Sequence, residues 1–202
     1  MRPLSCLFIS MISLTLWSGC DSNITTPQGG SPSRIELIPL ALGNNWVFRS
    51  RTYGYQDPYL EDIDTSRIDT AFLWNGNFWY GSRGGRSFAT NDSVGYWWFT
   101  LDADDTTREV KLYLYFPVRA GQSWKRDGDS ATVTVAGLGV QATTPAGTFS
   151  GCIQYDVSHR QGVTEIMIFK PGIGFIKSQY DNSTTFPPVS VTTELMSFYV
   201  KR

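Results

Sequence analysis

From Arg34 onward, apolar and polar residues alternate over short runs, and each run is closed by glycine, proline, asparagine or aspartate. In the stretch from Arg67 to Trp74, Ile68, Thr70, Phe72 and Trp74 fall on one face and Arg67, Asp69 and Ala71 on the other. Ile153, Tyr155 and Val157 alternate in the same way with Gln154, Asp156 and Ser158. A period of two is the pattern of a strand buried on one side. Further strands are predicted near 46–53, 78–81, 94–101, 109–116, 131–136, 139–143, 164–170, 174–180 and 191–200. Turn residues separate them: Asn75-Gly76-Asn77, Asp102 to Asp105, Asp127-Gly128-Asp129, Gln161-Gly162 and Pro171-Gly172. Helical periodicity is nearly absent. Connections this short make neighbouring strands antiparallel. The expectation is an all-β antiparallel meander of about ten strands, forming a strongly curved sheet, a half-barrel or a sandwich.

The first residues follow another pattern. Arg2 precedes an uncharged run, Leu4 to Gly19, which leads through the small residues Ser18 and Gly19 to Cys20. The run has the make-up of a secretory signal, and it is shorter than the roughly 20 apolar residues of a membrane-spanning helix. The alternative is a buried N-terminal helix, but the polar stretch Asp21 to Ser33 follows at once. That stretch, with two prolines and two glycines, is too polar to order itself around a core. As a tether it would reach on the order of 40 Å. The domain division expected is therefore a signal over 1–19, Cys20 with a flexible tether to 33, and a single β domain over 34–202.

Leu16-Trp17-Ser18-Gly19-Cys20 resembles the lipobox of bacterial lipoproteins, with Trp17 standing where that family usually has Leu, Val or Ile. The resemblance implies cleavage before Cys20, a diacylglyceryl group on its thiol and acylation of the new amine. Each buried methylene contributes about 0.8 kcal/mol, so two or three chains hold a protein stably where one does not. The implied location is the bacterial cell envelope, with the protein membrane-anchored by lipid. Asp21 resembles the inner-membrane retention signal of enteric bacteria.

Charge adds an exclusion. With 17 basic and 18 acidic residues the formal net charge is −1, and lysines and arginines are scattered, so no nucleic-acid surface is indicated. Of three cysteines, Cys6 leaves with the signal and Cys20 would carry lipid, so Cys152 has no partner for an internal disulfide. Such a domain depends on its apolar core, which 7 Trp, 10 Tyr and 12 Phe residues can supply.

One frame occurs twice. Pro39-Leu40-Ala41-Leu42-Gly43-Asn44-Asn45-Trp46 matches Pro117-Val118-Arg119-Ala120-Gly121-Gln122-Ser123-Trp124. Proline fixes φ at the entry to a turn, glycine permits positive φ at its exit, and tryptophan opens a strand. The frame reads as one corner design used twice, or alternatively as a duplicated ligand site. Together with Thr144-Pro145-Ala146-Gly147-Thr148-Phe149 leading to Cys152, and with Pro171-Gly172-Ile173-Gly174-Phe175-Ile176-Lys177, it resembles a diffuse group of uncharacterised bacterial lipoproteins. That resemblance spans most of 38–177 and implies no activity. The fold it implies is similar to the half-barrels of lipoprotein carriers, which bind acyl chains on a concave apolar face.

Reactive constellations are sparse. His159 lies at a strand end on the side of Tyr155 and Val157, and no second metal ligand stands at a recognisable spacing. The period of two puts Cys152 on the opposite face, with Gln154 and Asp156, which separates it from His159 and indicates a small, partly buried thiol. Asp102, Asp104 and Asp105 read as a solvated hairpin turn without the closing Glu of a calcium loop. Glu61, Asp62, Asp64 and Asp69 read as a loop whose carboxylates have no fixed separation. Gly81-Ser82-Arg83-Gly84-Gly85-Arg86 reads as a flexible loop. No catalytic residue, metal site or cofactor is indicated.

Aromatic density is what remains. Tyr96-Trp97-Trp98-Phe99 places rings on both faces of one strand, and Tyr113 and Tyr115 point away from the face shared by Val110, Leu112, Leu114 and Phe116. Either a second layer covers these rings or they form a groove. The expected function is a non-enzymatic, lipid-anchored envelope protein. It would bind a hydrophobic small ligand or an envelope protein through Trp79, Trp98, Tyr113 and Tyr115, with Cys20 as anchor. The alternatives are an assembly component pairing through a sheet edge and a carboxylate-dependent hydrolase.

Overall fold

The computed structural model describes residues 35–54, 60–101, 109–126, 131–186 and 188–201. The signal, Cys20 and tether, the Asp102 to Asp105 cluster and the Asp127-Gly128-Asp129 turn lie outside the described residues.

Among the described residues, thirteen strands form two antiparallel sheets. β1 (Asn45–Tyr53) and β2 (Leu60–Arg67) make a hairpin at one edge of the larger sheet. The chain crosses at Ile68 and Asp69 to the smaller sheet, a meander of β3 (Thr70–Trp74), β4 (Asn77–Gly81), β5 (Ser87–Asn91), β6 (Gly95–Thr100) and β7 (Lys111–Tyr115). It then returns to the larger sheet for β8 (Ser123–Lys125), β9 (Thr132–Thr144), β10 (Gly147–Ser158), β11 (Val163–Lys170), β12 (Gly174–Asn182) and β13 (Val189–Tyr199). The order of the larger sheet is β2-β1-β13-β12-β11-β10-β9-β8. The architecture is all-β and antiparallel, as the periodicity predicts.

The differences from the sequence reading have physical causes. The Arg67 to Trp74 alternation is not one strand: its first residue ends β2, Ile68 is buried at the crossing, and β3 begins at Thr70. The acidic stretch read as a loop is β2. Glu61, Asp62 and Asp64 sit on a strand exposed on both faces, held by its ladder to β1 and not by burial, so it carries no alternation. β5 follows the expected loop directly, and its single large side chain gave too little pattern to detect. The two strands expected near 131–136 and 139–143 are one, β9, because the intervening glycines make bulges and not a turn. Three register shifts interrupt the β9–β10 ladder, around Gly137, Gly139 and Gly151, and bend this long hairpin strongly.

The bend has a destination. Across the hairpin tip, the Ala146 amide donates to the Leu195 carbonyl of β13 (3.1 Å). Ala142, Cys152, Leu195, Ile176, Trp46 and Ile68 form one buried cluster beneath it. A second cluster lies between the sheets, where Leu114 of β7 and Leu37 meet Val133, Val135, Tyr155 and Phe169. The Tyr155 hydroxyl crosses the layers to donate to the Tyr115 carbonyl (3.1 Å). A third cluster closes the far face of the smaller sheet with its own rings: Phe99, fully buried, packs edge-on against Trp79 (4.7 Å) and Trp74 (5.5 Å).

The repeated frame makes the same corner twice. The Gly43 amide donates to the Ile68 carbonyl (2.7 Å), the Ile68 amide to the Asn44 carbonyl (2.9 Å) and the Asn44 amide to the Ala41 carbonyl (3.1 Å). The second copy repeats all three bonds: Gly121 to Val135 (2.9 Å), Val135 to Gln122 (2.8 Å) and Gln122 to Arg119 (3.1 Å). Both glycines need their freedom, at φ +94° and +76°. Each corner hands the chain into the larger sheet, at β1 and at β8. The first is tied to the Pro171–Gly174 turn by the Trp46 indole, which donates to the Ile173 carbonyl (2.7 Å).

Candidate functional site

Where the sheets diverge, they leave a cavity of about 680 Å³. The larger sheet contributes Trp46 and Phe48 from β1 and Phe175 from β12; the smaller contributes Tyr80, Tyr96 and Trp98. Tyr80, Ala89 and Trp98 are cross-strand neighbours, which places them on one face of β4, β5 and β6. The small Ala89 side chain between two large rings leaves the floor of the cavity open. Tyr113 enters through a bulge. It is the extra residue between the Trp97–Leu112 and Tyr96–Leu114 pairs, so the alternation read from Val110 to Phe116 inverts there. Val110 therefore packs on the far face, while Leu114 and Phe116 pack between the sheets with Tyr113.

The tyrosines of this wall are set by their surroundings. Burial pushes the Tyr96 phenol above its usual range, with Tyr113 adding to the effect, and burial also raises Tyr80, helped by Glu36. They stay neutral at physiological pH. Tyr113 is held edge-on to Trp98 (6.1 Å), with its hydroxyl on the Met167 sulfur (3.7 Å) and the Arg126 guanidinium 4.9 Å from its ring centre.

One end of the cavity is polar. Arg67, at the end of β2, and Arg86, before β5, both line it, with Ser66, Ser82 and Ser87. This end is built by ties between the sheet crossing and the 82–86 loop. The Ser82 hydroxyl donates to the Arg67 carbonyl (2.6 Å), the Asp69 amide to the Gly81 carbonyl (3.1 Å), and the Arg83 amide to the Asp69 carboxylate. The lining includes no carboxylate, imidazole or thiol.

Of the residues expected to form a contact surface, Trp98 and Tyr113 line the cavity. Trp79 is buried in the ring cluster on the opposite face of the smaller sheet, with its indole donating to the Trp74 carbonyl (3.2 Å). Tyr115 packs edge-on against Trp124 (4.9 Å), away from the cavity lining. Cys20 lies outside the described residues. Sequence reasoning missed Trp46, Phe48, Phe175, Arg67 and Arg86. The first was legible only as a strand anchor; Arg67 was read on the polar face of an alternating stretch and Arg86 within a loop, and the ties at the sheet crossing set both segments along the cavity.

Chemistry elsewhere is structural. Cys152 is fully buried, in the cluster beneath the hairpin tip. Burial raises its thiol, only partly countered by Lys170, so it is a poor nucleophile. The His159 imidazole lies 3.9 Å from the Glu165 carboxylate. Glu61 pairs with Arg51 (2.6 Å), and the Asp62 and Asp64 carboxylates each accept the next residue's amide. Among the described residues, no group of three or more His, Cys, Asp and Glu side chains is placed to hold a metal ion.

No protein-family model and no curated protein matches the chain. Solved structures that resemble it include two crystal structures. One is a chain assigned as an exported protein with a YmcC-like fold, from Bacteroides fragilis: 14% identity, 83% of this chain and 100% of that one, TM-score 0.49. The other is a chain assigned as a lipoprotein from Parabacteroides distasonis: 12% identity, 82% of this chain and 99% of that one, TM-score 0.46.

Proposed function

We propose that this is a non-enzymatic protein of the bacterial cell envelope, anchored through lipid on Cys20, that holds an apolar or amphipathic small molecule between its two sheets. The cavity is the observation that carries the binding reading. Its volume of about 680 Å³ lies within the range of small-ligand sites, and its walls are aromatic and aliphatic with polar groups gathered at one end. Its lining residues include no carboxylate, imidazole or thiol to serve as a general base, which favours binding over acid–base catalysis. Assembly through a sheet edge has less support. The fully exposed β2 presents Glu61, Asp62 and Asp64, and charges on an edge strand oppose further pairing.

The test is titration of the purified full chain with N-phenyl-1-naphthylamine, a neutral apolar dye. Saturable enhancement of its emission is expected. Ala89→Leu, which fills the gap between Tyr80 and Trp98, is expected to weaken it about tenfold. Absence of saturable binding removes the cavity from the proposal. The anchor is checked by mass spectrometry of the mature N-terminus, where an unmodified residue other than Cys20 removes it.

A further inference from the structure

We infer that the cavity's ligand is an uncharged apolar molecule carrying a carbonyl group, as a ketone, quinone or ester does, with that carbonyl taken up by the phenol donors of Tyr80 and Tyr96. The inference rests on the cavity reading above and adds the chemical class of ligand. Its basis is where the wall keeps unspent donors. The Trp46 indole donates to the Ile173 carbonyl (2.7 Å), the Ser82 hydroxyl to the Arg67 carbonyl (2.6 Å), and the Ser87 hydroxyl shares a bond with that of Thr100 (3.3 Å). Among the described residues, the Tyr80 and Tyr96 hydroxyls and the Trp98 indole nitrogen have no hydrogen-bond partner, and none of the three is sealed inside the packing.

The strand registers put these three side chains on one face. Tyr80 and Trp98 flank Ala89 across β4, β5 and β6, and Tyr96 stands two residues before Trp98, opposite Asn91. That face is turned away from the Phe99 ring cluster and lines the cavity. Tyr96 packs against the cluster between the sheets and Tyr80 against the one around Trp46, so the phenols border the cavity from two sides. Burial keeps both phenols protonated, and an indole nitrogen can only donate. A surplus of donors in an apolar enclosure is matched by an acceptor. A ligand hydroxyl would bring one more donor to the same wall, whereas a carbonyl oxygen only accepts. Nor does the wall ask for charge: Trp46, Phe48, Ala89 and Phe175 carry none. A charged ligand would give up its hydration among these rings without a counter-ion. An anion would also face the Glu36 carboxylate, whose charge already acts on the Tyr80 phenol.

The experiment compares 2-acetylnaphthalene, 2-isopropenylnaphthalene and 2-naphthoate, which share one ring system and nearly one shape, by displacement of N-phenyl-1-naphthylamine from the purified full chain. The ketone is expected to displace the dye readily and the anion least. Replacing both phenols, Tyr80→Phe with Tyr96→Phe, should weaken the ketone about tenfold more than the hydrocarbon. In isotope-edited infrared spectra of the parent protein, the carbonyl stretch of bound 2-acetylnaphthalene is expected below its position in hexane. Tighter binding of the anion than of the ketone, equal weakening of ketone and hydrocarbon in the variant, or a carbonyl stretch left at its hexane position overturns the carbonyl assignment while leaving the cavity reading in place. Failure of the dye and all three probes to bind overturns the cavity reading itself.

Discussion

Asn44 shows how much a single side chain holds in this fold. It is completely buried, its amide nitrogen donates to the Pro39 carbonyl (2.9 Å), and its oxygen accepts the Lys201 amide (2.8 Å). One residue thus satisfies a corner near the start of the domain and the backbone just beyond β13. Its counterpart in the second copy, Gln122, is only half-buried and uses its oxygen locally, on the Arg119 amide (3.1 Å). The two positions are equivalent in the frame and unequal in energy. Asn44→Ala empties a fully buried site and takes the partner from the Pro39 carbonyl and the Lys201 amide, both in part-buried bonds, and is expected to cost about 2–3 kcal/mol, while Gln122→Ala costs less than about 1 kcal/mol. Thermal unfolding of the two variants checks this: roughly 5–10 °C is expected for the first and a few degrees at most for the second. Equal losses would show that the corner, and not the burial, sets the cost.

At the scale of strands, three neighbours in the larger sheet are joined by one row of charge. Glu194 of β13 lies opposite Arg49 of β1 and Lys177 of β12, at 3.3 and 3.0 Å. Burial alone would raise the Glu194 carboxyl, but its bonds to Lys177 and Arg49 outweigh that and lower it. A carboxylate with a depressed folded value stabilises above its unfolded value, near 4.3, and loses that contribution as pH falls through the folded value. The row is expected to contribute about 1 kcal/mol near neutrality. Urea unfolding should show Glu194→Gln less stable than the parent at pH 6–7, with the gap closing below about pH 4. A constant gap across that range would assign the loss to packing.

Strands were also where the sequence spoke most clearly, and its silences are instructive. Ile153, Tyr155 and Val157 are all buried, as their spacing predicts. Periodicity reports burial of one face, so it found β10 and passed over β2, whose two faces are both wet. It also assumes an uninterrupted ladder. A bulge shifts the phase by one residue, which is why Leu114 and Phe116, expected on the face away from Tyr113, pack with it instead. The cavity was half legible. Trp98 and Tyr113 declared themselves as surplus aromatics, whereas Trp46 and Phe175 belong to the other sheet and no spacing along the chain connects them.

For the whole molecule, the order of strands in space departs from their order in sequence at one place. β13 sits between β1 and β12, inside the larger sheet, although it is the thirteenth strand to be made. Removing residues from Val189 onward would leave β1 and β12 with open edges, separating Trp46 from the rest of its cluster and taking Leu195 from the hairpin tip. Such a variant is expected to lose cooperative thermal unfolding and dye binding together. A sharp transition with binding intact would mean that the other twelve strands suffice. The arrangement also has a temporal consequence. A polypeptide delivered amino end first, from a ribosome or through a membrane pore, carries its keystone behind the strands that it locks. The arch cannot close until that piece emerges, so those strands remain threadable up to that moment.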